Sequence, residues 1–167
     1  MKKATAHDFY LALGYAVSLL KDDKLQIDTH STQHFQVILD NGGVLFLSEN
    51  RDCGIAVNDG YICSLFKNPN CPTKNVAKEL LELARANGGY FLEAYGNHLE
   101  DLYIKNDFQP VARLKFNEEF APIGWESTNL ISKPDVVFFV YVPNAIYTDK
   151  GLYFDDYANA YNYAKNY

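Results

Sequence analysis

The stretch that decides the fold is residues 60–116, GYICSLFKNPNCPTKNVAKELLELARANGGYFLEAYGNHLEDLYIKNDFQPVARLKF. Its apolar pattern predicts a strand over residues 61–67, a helix over 73–87 and a second strand over 90–95. Strand, helix and strand in this order form a βαβ unit, whose crossover is expected to be right-handed. Because a helix N-terminus beside the carboxyl ends of such strands suits a phosphate-bearing ligand, we expect the functional site there.

The N-terminal part of the chain predicts helices. Thr5 and Asp8 resemble a capping box, and apolar residues at helical spacing follow them, which indicates a first helix over residues 5–20. Residues 31–39 fit either a short helix or a strand. The Asn41-Gly42-Gly43 sequence that follows favours the helix, because glycine commonly ends helices.

Three short apolar runs then predict an antiparallel sheet. They cover residues 44–47, 54–57 and 61–66. The last two are separated by Asn58-Asp59-Gly60, residues that tolerate the positive φ of tight hairpins. Short separators imply antiparallel neighbours, so the three runs form a meander that leads into the βαβ unit and makes the sheet mixed.

The C-terminal part continues this α/β (α+β) pattern. We predict a short helix over residues 99–106, a strand over 108–116 and a strand over 136–142. The strand over 136–142 is apolar on both faces and is therefore expected inside the sheet. Apolar residues at helical spacing within 155–167 predict a closing helix. No linker or repeat interrupts the chain, so residues 1–167 are expected to form a single domain.

Composition limits the classes of function. The net charge of −6 argues against broad binding to nucleic acid, which needs a cationic surface. No apolar run approaches the ~20 residues of a membrane span, and the N-terminus predicts an amphipathic helix instead of a signal peptide. The three cysteines lack CxxC spacing, which indicates reduced thiols in a cytoplasmic protein, with no metal site and no disulfide. They are Cys53, Cys63 and Cys71.

One segment carries a family resemblance. Residues 102–111, LYIKNDFQPV, resemble the fourth helix and sixth strand of the GCN5-related N-acetyltransferases (GNAT), which read xLYxxxGFxPV. The order of elements also matches over about residues 44–142. The resemblance implies a mixed, mostly antiparallel sheet flanked by helices, with residues 143–167 as an added C-terminal extension. Asp107 stands where the family usually has glycine, and aspartate tolerates the left-handed conformation better than most residues.

The resemblance implies acetyl-CoA as cofactor, lying between the fourth and fifth strands with its pyrophosphate on backbone amides at the start of the third helix. The loop at residues 67–75 departs from the family's pattern, because it lacks glycine and contains Pro69 and Pro72, which donate no N–H. Its amides, the Thr73 hydroxyl and nearby lysines can still serve. The cofactor-binding candidates are Lys67, Cys71, Thr73, Lys74, Asn75, Asn97 and Tyr103.

The resemblance also suggests catalytic residues. Tyr103 matches the residue that protonates the departing coenzyme thiolate in many family members, a general-acid role. The acceptor ammonium must lose a proton, for which Glu93 and Glu118 are candidate bases, beside Glu119 and His98. Trp125 is a candidate for lining the acceptor groove.

The sequence and its resemblance lead to two hypotheses about function, which belong to different classes. The first is an acyltransferase that moves an acetyl group from acetyl-CoA to an unknown primary amine, in a small molecule or a protein. The second is a catalytically inactive accessory protein that keeps the fold as a binding module. The loop at residues 116–125 looks like that of acetyltransferase-like proteins from bacteriophages and mobile elements. A homodimer is left open.

Overall fold

The computed structural model of the protein describes residues 1–20, 30–96, 98–120, 133–144 and 150–167. Its backbone contacts divide the chain into two compact units, Met1–Gly89 and Tyr90–Tyr167. Each unit has helices packed on mostly antiparallel strands, so the mixed α/β fold class is confirmed. Among the described residues, no helix combines the length and apolar character needed to cross a membrane.

The first unit contains the predicted meander. Its elements are β1 (Lys2–Lys3), α1 (Ala6–Ser18), α2 (Thr32–Asp40), β2 (Val44–Leu47), β3 (Cys53–Asn58), β4 (Tyr61–Lys67) and α3 (Val76–Ala86). The strands lie in the order β1-β2-β3-β4, each antiparallel to its neighbour. Asp59 and Gly60 turn the chain between β3 and β4 with φ of 47° and 80°, as the hairpin prediction requires.

The α2 segment is a helix, and the alternative of a strand is wrong. The Ser31 hydroxyl caps it by accepting a hydrogen bond from the His34 amide at 3.2 Å. Phe35 and Ile38 are buried whereas Val37 is 49% exposed. A strand would place residues 35 and 37 on one face, so this pattern of burial has the period of a helix.

The core of the first unit is built around α1. The Thr5 side chain caps this helix by accepting the Asp8 amide at 3.1 Å, as predicted. Phe9 is fully buried, and its ring centre lies 4.8 Å from that of Phe35 and 5.5 Å from that of Phe66. The edge-to-face contacts of these rings join α1 to α2 and β4.

Helix α3 begins later than predicted. Its first helical residue is Val76, and the N-cap position is held by Asn75 with a φ of 58° and no hydrogen bond from its side chain. A left-handed residue interrupts a right-handed helix, so Thr73 lies in the preceding loop. The prediction that the helix starts at Thr73 was therefore wrong by one turn.

The second unit surrounds one central strand. Its elements are β5 (Phe91–Tyr95), α4 (His98–Ile104), β6 (Phe108–Leu114), a 3₁₀ helix (Glu118–Phe120), β7 (Val136–Tyr141), β8 (Leu152–Tyr153) and α5 (Tyr157–Lys165). The strand order is β5-β7-β6-β8, with β7 antiparallel to both neighbours and β8 parallel to β6. The apolar strand β7 is thus interior, as predicted, with buried side chains from Val137 to Val140.

Helix α5 closes the second unit. The Asp156 carboxylate caps it by accepting the Asn159 amide at 2.9 Å. Ala160 and Ala164 are fully buried, and α5 packs on β6 and β7. Small side chains at this spacing let the helix approach the sheet closely. The observed α5 confirms the closing helix that the sequence predicts.

Candidate active site

The loop between β4 and α3 is held by its own hydrogen bonds. The Lys67 ammonium donates to the Thr73 carbonyl at 3.1 Å. The Cys71 amide donates to the Asn68 carbonyl at 2.9 Å, and the Asn70 amide donates to the Asn68 side-chain oxygen at 2.7 Å. The Cys71 amide, a candidate donor to a phosphate, therefore already has an acceptor.

The start of α3 differs from the rest of this loop. Within the described ranges, the backbone amides of residues 73–77 donate no hydrogen bond. Thr73, Lys74 and Asn75 are exposed. The positive end of the helix dipole and the Lys74 ammonium favour an anion at this place. This end of α3 offers the two things that a phosphate needs, amide hydrogens and positive charge.

Tyr103 lies on α4 in the second unit. Its side chain is buried, and its ring centre lies 5.2 Å from that of Phe139 and 6.4 Å from that of Phe108. Burial raises the pKa of the Tyr103 hydroxyl to about 12. The hydroxyl therefore stays protonated near neutral pH, which is a requirement for a proton donor.

The turn after α4 has the geometry that the sequence motif predicts. Asp107 adopts a φ of 65°, where the related pattern has glycine. Its amide donates to the Ile104 carbonyl at 3.1 Å, and its carbonyl accepts the Val142 amide at 2.9 Å. These two bonds join the end of α4 to the end of β7, so aspartate is accommodated in the left-handed position.

Glu93 on β5 has a partner from the C-terminal helix. The Tyr157 hydroxyl lies 2.8 Å from each Glu93 carboxylate oxygen and donates to this carboxylate. The Tyr157 ring also packs edge-on against that of Phe138, with the ring centres 5.5 Å apart. In the sequence, residue 157 is predicted only to be part of the closing helix within residues 155–167, because nothing in local spacing connects it to residue 93.

Glu118 is placed unfavourably for a base. It is exposed and forms an ion pair with Lys133. The hydrogen bond from Lys133, together with its charge, lowers the pKa of the Glu118 carboxyl. A carboxylate with a lowered pKa accepts protons less readily. Asn97 and Trp125 lie outside the described residues, as does the side chain of His98.

A buried ion pair supports the helix that carries Tyr103. Arg113 on β6 is 6% exposed, and its guanidinium donates to the Glu100 carboxylate on α4 and to the Lys150 carbonyl. Charged groups in the interior are normally paired in this way. The pair ties α4 to β6, and it cannot be predicted from local spacing because residues 100 and 113 belong to different elements.

Solved structures of acetyltransferases are similar to the chain. YncA from Salmonella typhimurium, solved with its cofactor acetyl-CoA, has a TM-score of 0.55 at 13% identity, over 89% of this chain and 96% of YncA. An N-acetyltransferase from Staphylococcus aureus Mu50 has a TM-score of 0.55 at 16% identity, over 83% and 94%. Ribosomal-protein-alanine N-acetyltransferase from Brucella melitensis has 0.54 at 16% identity, over 83% and 96%.

These likenesses define the class of fold. The chain has the fold of the GCN5-related N-acetyltransferases, as the segment at residues 102–111 implied. At identities of 13–16% the likeness is one of architecture. No protein-family model matches the sequence, and no curated protein is significantly similar to it.

Proposed function

We propose that the protein is an N-acetyltransferase that transfers an acetyl group from acetyl-CoA to a primary amine. The observation that carries this proposal is the set of backbone amides at residues 73–77, which span the end of the loop and the first two residues of α3 in a chain with an acetyltransferase fold. A diphosphate is bound well by several N–H groups at a positive helix end. Backbone donors can supply this contact even though the loop lacks glycine.

Tyr103 is the proposed general acid. Acetyl-CoA supplies an activated thioester, and the acceptor amine forms the new C–N bond as the C–S bond breaks. Tyr103 donates its hydroxyl proton to the sulfur that departs. Its pKa of about 12 keeps that proton in place until it is needed.

Glu93 is the proposed base that removes a proton from the acceptor ammonium. The Tyr157 hydroxyl orients its carboxylate through the two contacts of 2.8 Å. Glu118 is less suited, because Lys133 stabilises its ionised form. Of the two carboxylates proposed from the sequence, Glu93 is therefore preferred.

Cofactor binding is tested by calorimetry and thermal unfolding with acetyl-CoA. A ligand of the native state raises the melting temperature with its concentration. We expect Lys74→Glu to weaken binding about thirtyfold, since it replaces an attraction of roughly 1 kcal/mol near the helix end with a repulsion of similar size. Lys2→Glu is the matched control, because β1 lies three strands from β4 in the first unit. Equal weakening by both variants would count against a site at α3.

The alternative is an inactive acetyltransferase-fold accessory protein, of phage or mobile-element origin. It is favoured by the loop itself, where the Cys71 amide and the Lys67 ammonium already have acceptors. The same titration separates the two functions. A melting temperature that stays constant at millimolar acetyl-CoA supports the accessory protein, whereas a rise supports the enzyme.

A further inference from the structure

Two cysteines and an aspartate meet in the first unit, where β3 begins. Asp52, Cys53 and Cys71 offer one carboxylate oxygen and two Sγ atoms, and these atoms all lie within 4.8 Å of one another. Cys53 and Cys71 are 4% and 6% exposed, and Asp52 is partly buried. We propose that these three side chains bind one zinc ion.

The donor set suits zinc. Thiolate sulfur and carboxylate oxygen are both ligands of Zn²⁺, and Zn–S bonds of about 2.3 Å place two sulfurs about 3.8 Å apart in a tetrahedron. Ligand atoms within 4.8 Å of one another reach that spacing by moving about 1 Å. On binding, Zn²⁺ replaces the two thiol protons, which pass to solvent, and water takes the fourth position.

One side of the site is set by the turn that precedes β3. The Ser48 hydroxyl donates to a carboxylate oxygen of Asp52 at 2.5 Å. The same Ser48 oxygen accepts the amides of Asp52 at 2.9 Å and Cys53 at 3.3 Å. Ser48 therefore orients the carboxylate and fixes the backbone of two ligands, as supporting hydrogen bonds do in metal sites.

The other side is set by the loop after β4. The Asn68 amide donates to the Asp52 carbonyl at 2.7 Å, and the Asn68 carbonyl accepts the Cys71 amide at 2.9 Å. The backbone of Cys71 is thus connected to that of Asp52 through a single residue. Because both sides are ordered by hydrogen bonds of their own, little further ordering is required of the chain when the ion binds.

Sequence spacing does not reveal this site, because Asp52 and Cys53 lie at the start of β3 and Cys71 lies in the loop after β4, and only folding brings them together. The third cysteine, Cys63, lies on β4 and is not part of the cluster. It provides a matched control, since Cys63→Ser removes a thiol from the same unit without touching the three ligands.

The test is a Co²⁺ titration of the reduced protein under anaerobic conditions, followed by displacement with Zn²⁺. We expect thiolate-to-cobalt absorption that saturates at one equivalent and disappears when Zn²⁺ is added. Loss of a supporting hydrogen bond lowers metal affinity about tenfold to hundredfold, so loss of a ligand in Cys71→Ser or Asp52→Asn should lower it further. Cys63→Ser should bind Co²⁺ as the wild type does.

Each other outcome overturns the proposal. Absence of the thiolate absorption in the reduced wild type would show that the cysteines are only buried apolar side chains. Equal absorption in folded Cys71→Ser, checked by circular dichroism, would place the metal elsewhere. A disulfide between Cys53 and Cys71, formed with an added peroxide oxidant, in a protein whose reduced form binds no Co²⁺ would identify a redox pair instead.

Discussion

The start of α3 and the α4–β6 segment differ in how their sequence and their structure compare with the acetyltransferase pattern. The loop before α3 has none of the glycines of the related pattern, yet residues 73–77 present amides without acceptors among the described residues. The α4–β6 segment keeps the sequence motif, yet the side chain of Tyr103 is buried. Backbone donors are common to all residues except proline, so anion binding tolerates sequence change. Acid catalysis depends on one particular side chain, so it does not tolerate a change of that residue.

The largest expected effect comes from removing the ion pair that ties α4 to β6, because α4 carries Tyr103 and the pair is buried. Arg113→Met leaves the Glu100 carboxylate without its charged partner, and breaking a buried pair in this way costs about 3–5 kcal/mol. Arg51→Met is the control, since its pair with Asp8 at 3.0 Å is more exposed and should cost less than about 1 kcal/mol. Urea unfolding measures both, and equal losses would contradict a supporting role for the buried pair.

Removal of the phenol hydroxyl tests the motif itself. In Tyr103→Phe we expect kcat to fall about a hundredfold or more while acetyl-CoA binding is retained, because only proton donation is lost. Tyr15→Phe, at an exposed position, should leave kcat unchanged. Since the pKa of Tyr103 is about 12, its ionisation should not lower wild-type turnover below about pH 10. An unchanged kcat in Tyr103→Phe would remove this residue from the acid role.

The choice of base is tested by a pair of matched substitutions. Glu93→Gln should lower kcat about a hundredfold, as loss of a general base does, with little change in acetyl-CoA affinity. Glu118→Gln should change kcat less than about twofold, because Lys133 already holds this carboxylate in its ionised form. Steady-state kinetics of both variants decide, and the reverse ranking would exchange the two roles.

The smallest expected effect concerns the C-terminal helix. Tyr157→Phe removes the hydroxyl that donates to Glu93 and should lower the free energy of unfolding by about 1 kcal/mol. Tyr163→Phe is the control, because within the described ranges Tyr163 makes ring contacts and its hydroxyl makes no hydrogen bond. Thermal unfolding compares the two variants, and an equal change in both would mean that the contact with Glu93 contributes no net stability.

Local chemistry was predictable from the sequence. The caps at Thr5 and Ser31, the hairpin at Asp59 and the left-handed turn at Asp107 all depend on residues within a few positions of one another. The start of α3 was misplaced because a left-handed Asn75 has no pattern that distinguishes it from a helical residue. Strands β1 and β8 have two residues each, too few for alternation to be visible.

Long-range partners were not predictable in the same way. The Tyr157–Glu93 contact and the Arg113–Glu100 pair join residues from different elements. The local sequence around each residue does not identify its partner. The prediction of thiols without a metal site considered CxxC spacing, whereas Cys53 and Cys71 meet because β3 pairs with β4 and the loop after β4 is hydrogen-bonded back to Asp52. Candidate sites of this kind depend on tertiary contacts that one sequence does not encode in its spacing.

The two shortest strands have a consequence for self-association. Strand β1 covers the free edge of β2 in the first unit, and β8 covers the free edge of β6 in the second. Each outer strand is only two residues long, and β1 consists of two exposed lysines. Both edges are short and β1 is also charged, and such edges offer a poor template for intermolecular β pairing. Without these two strands, the longer strands β2 and β6 would expose their backbone hydrogen-bonding groups. Other copies of the chain could then pair with them and aggregate into ordered polymers.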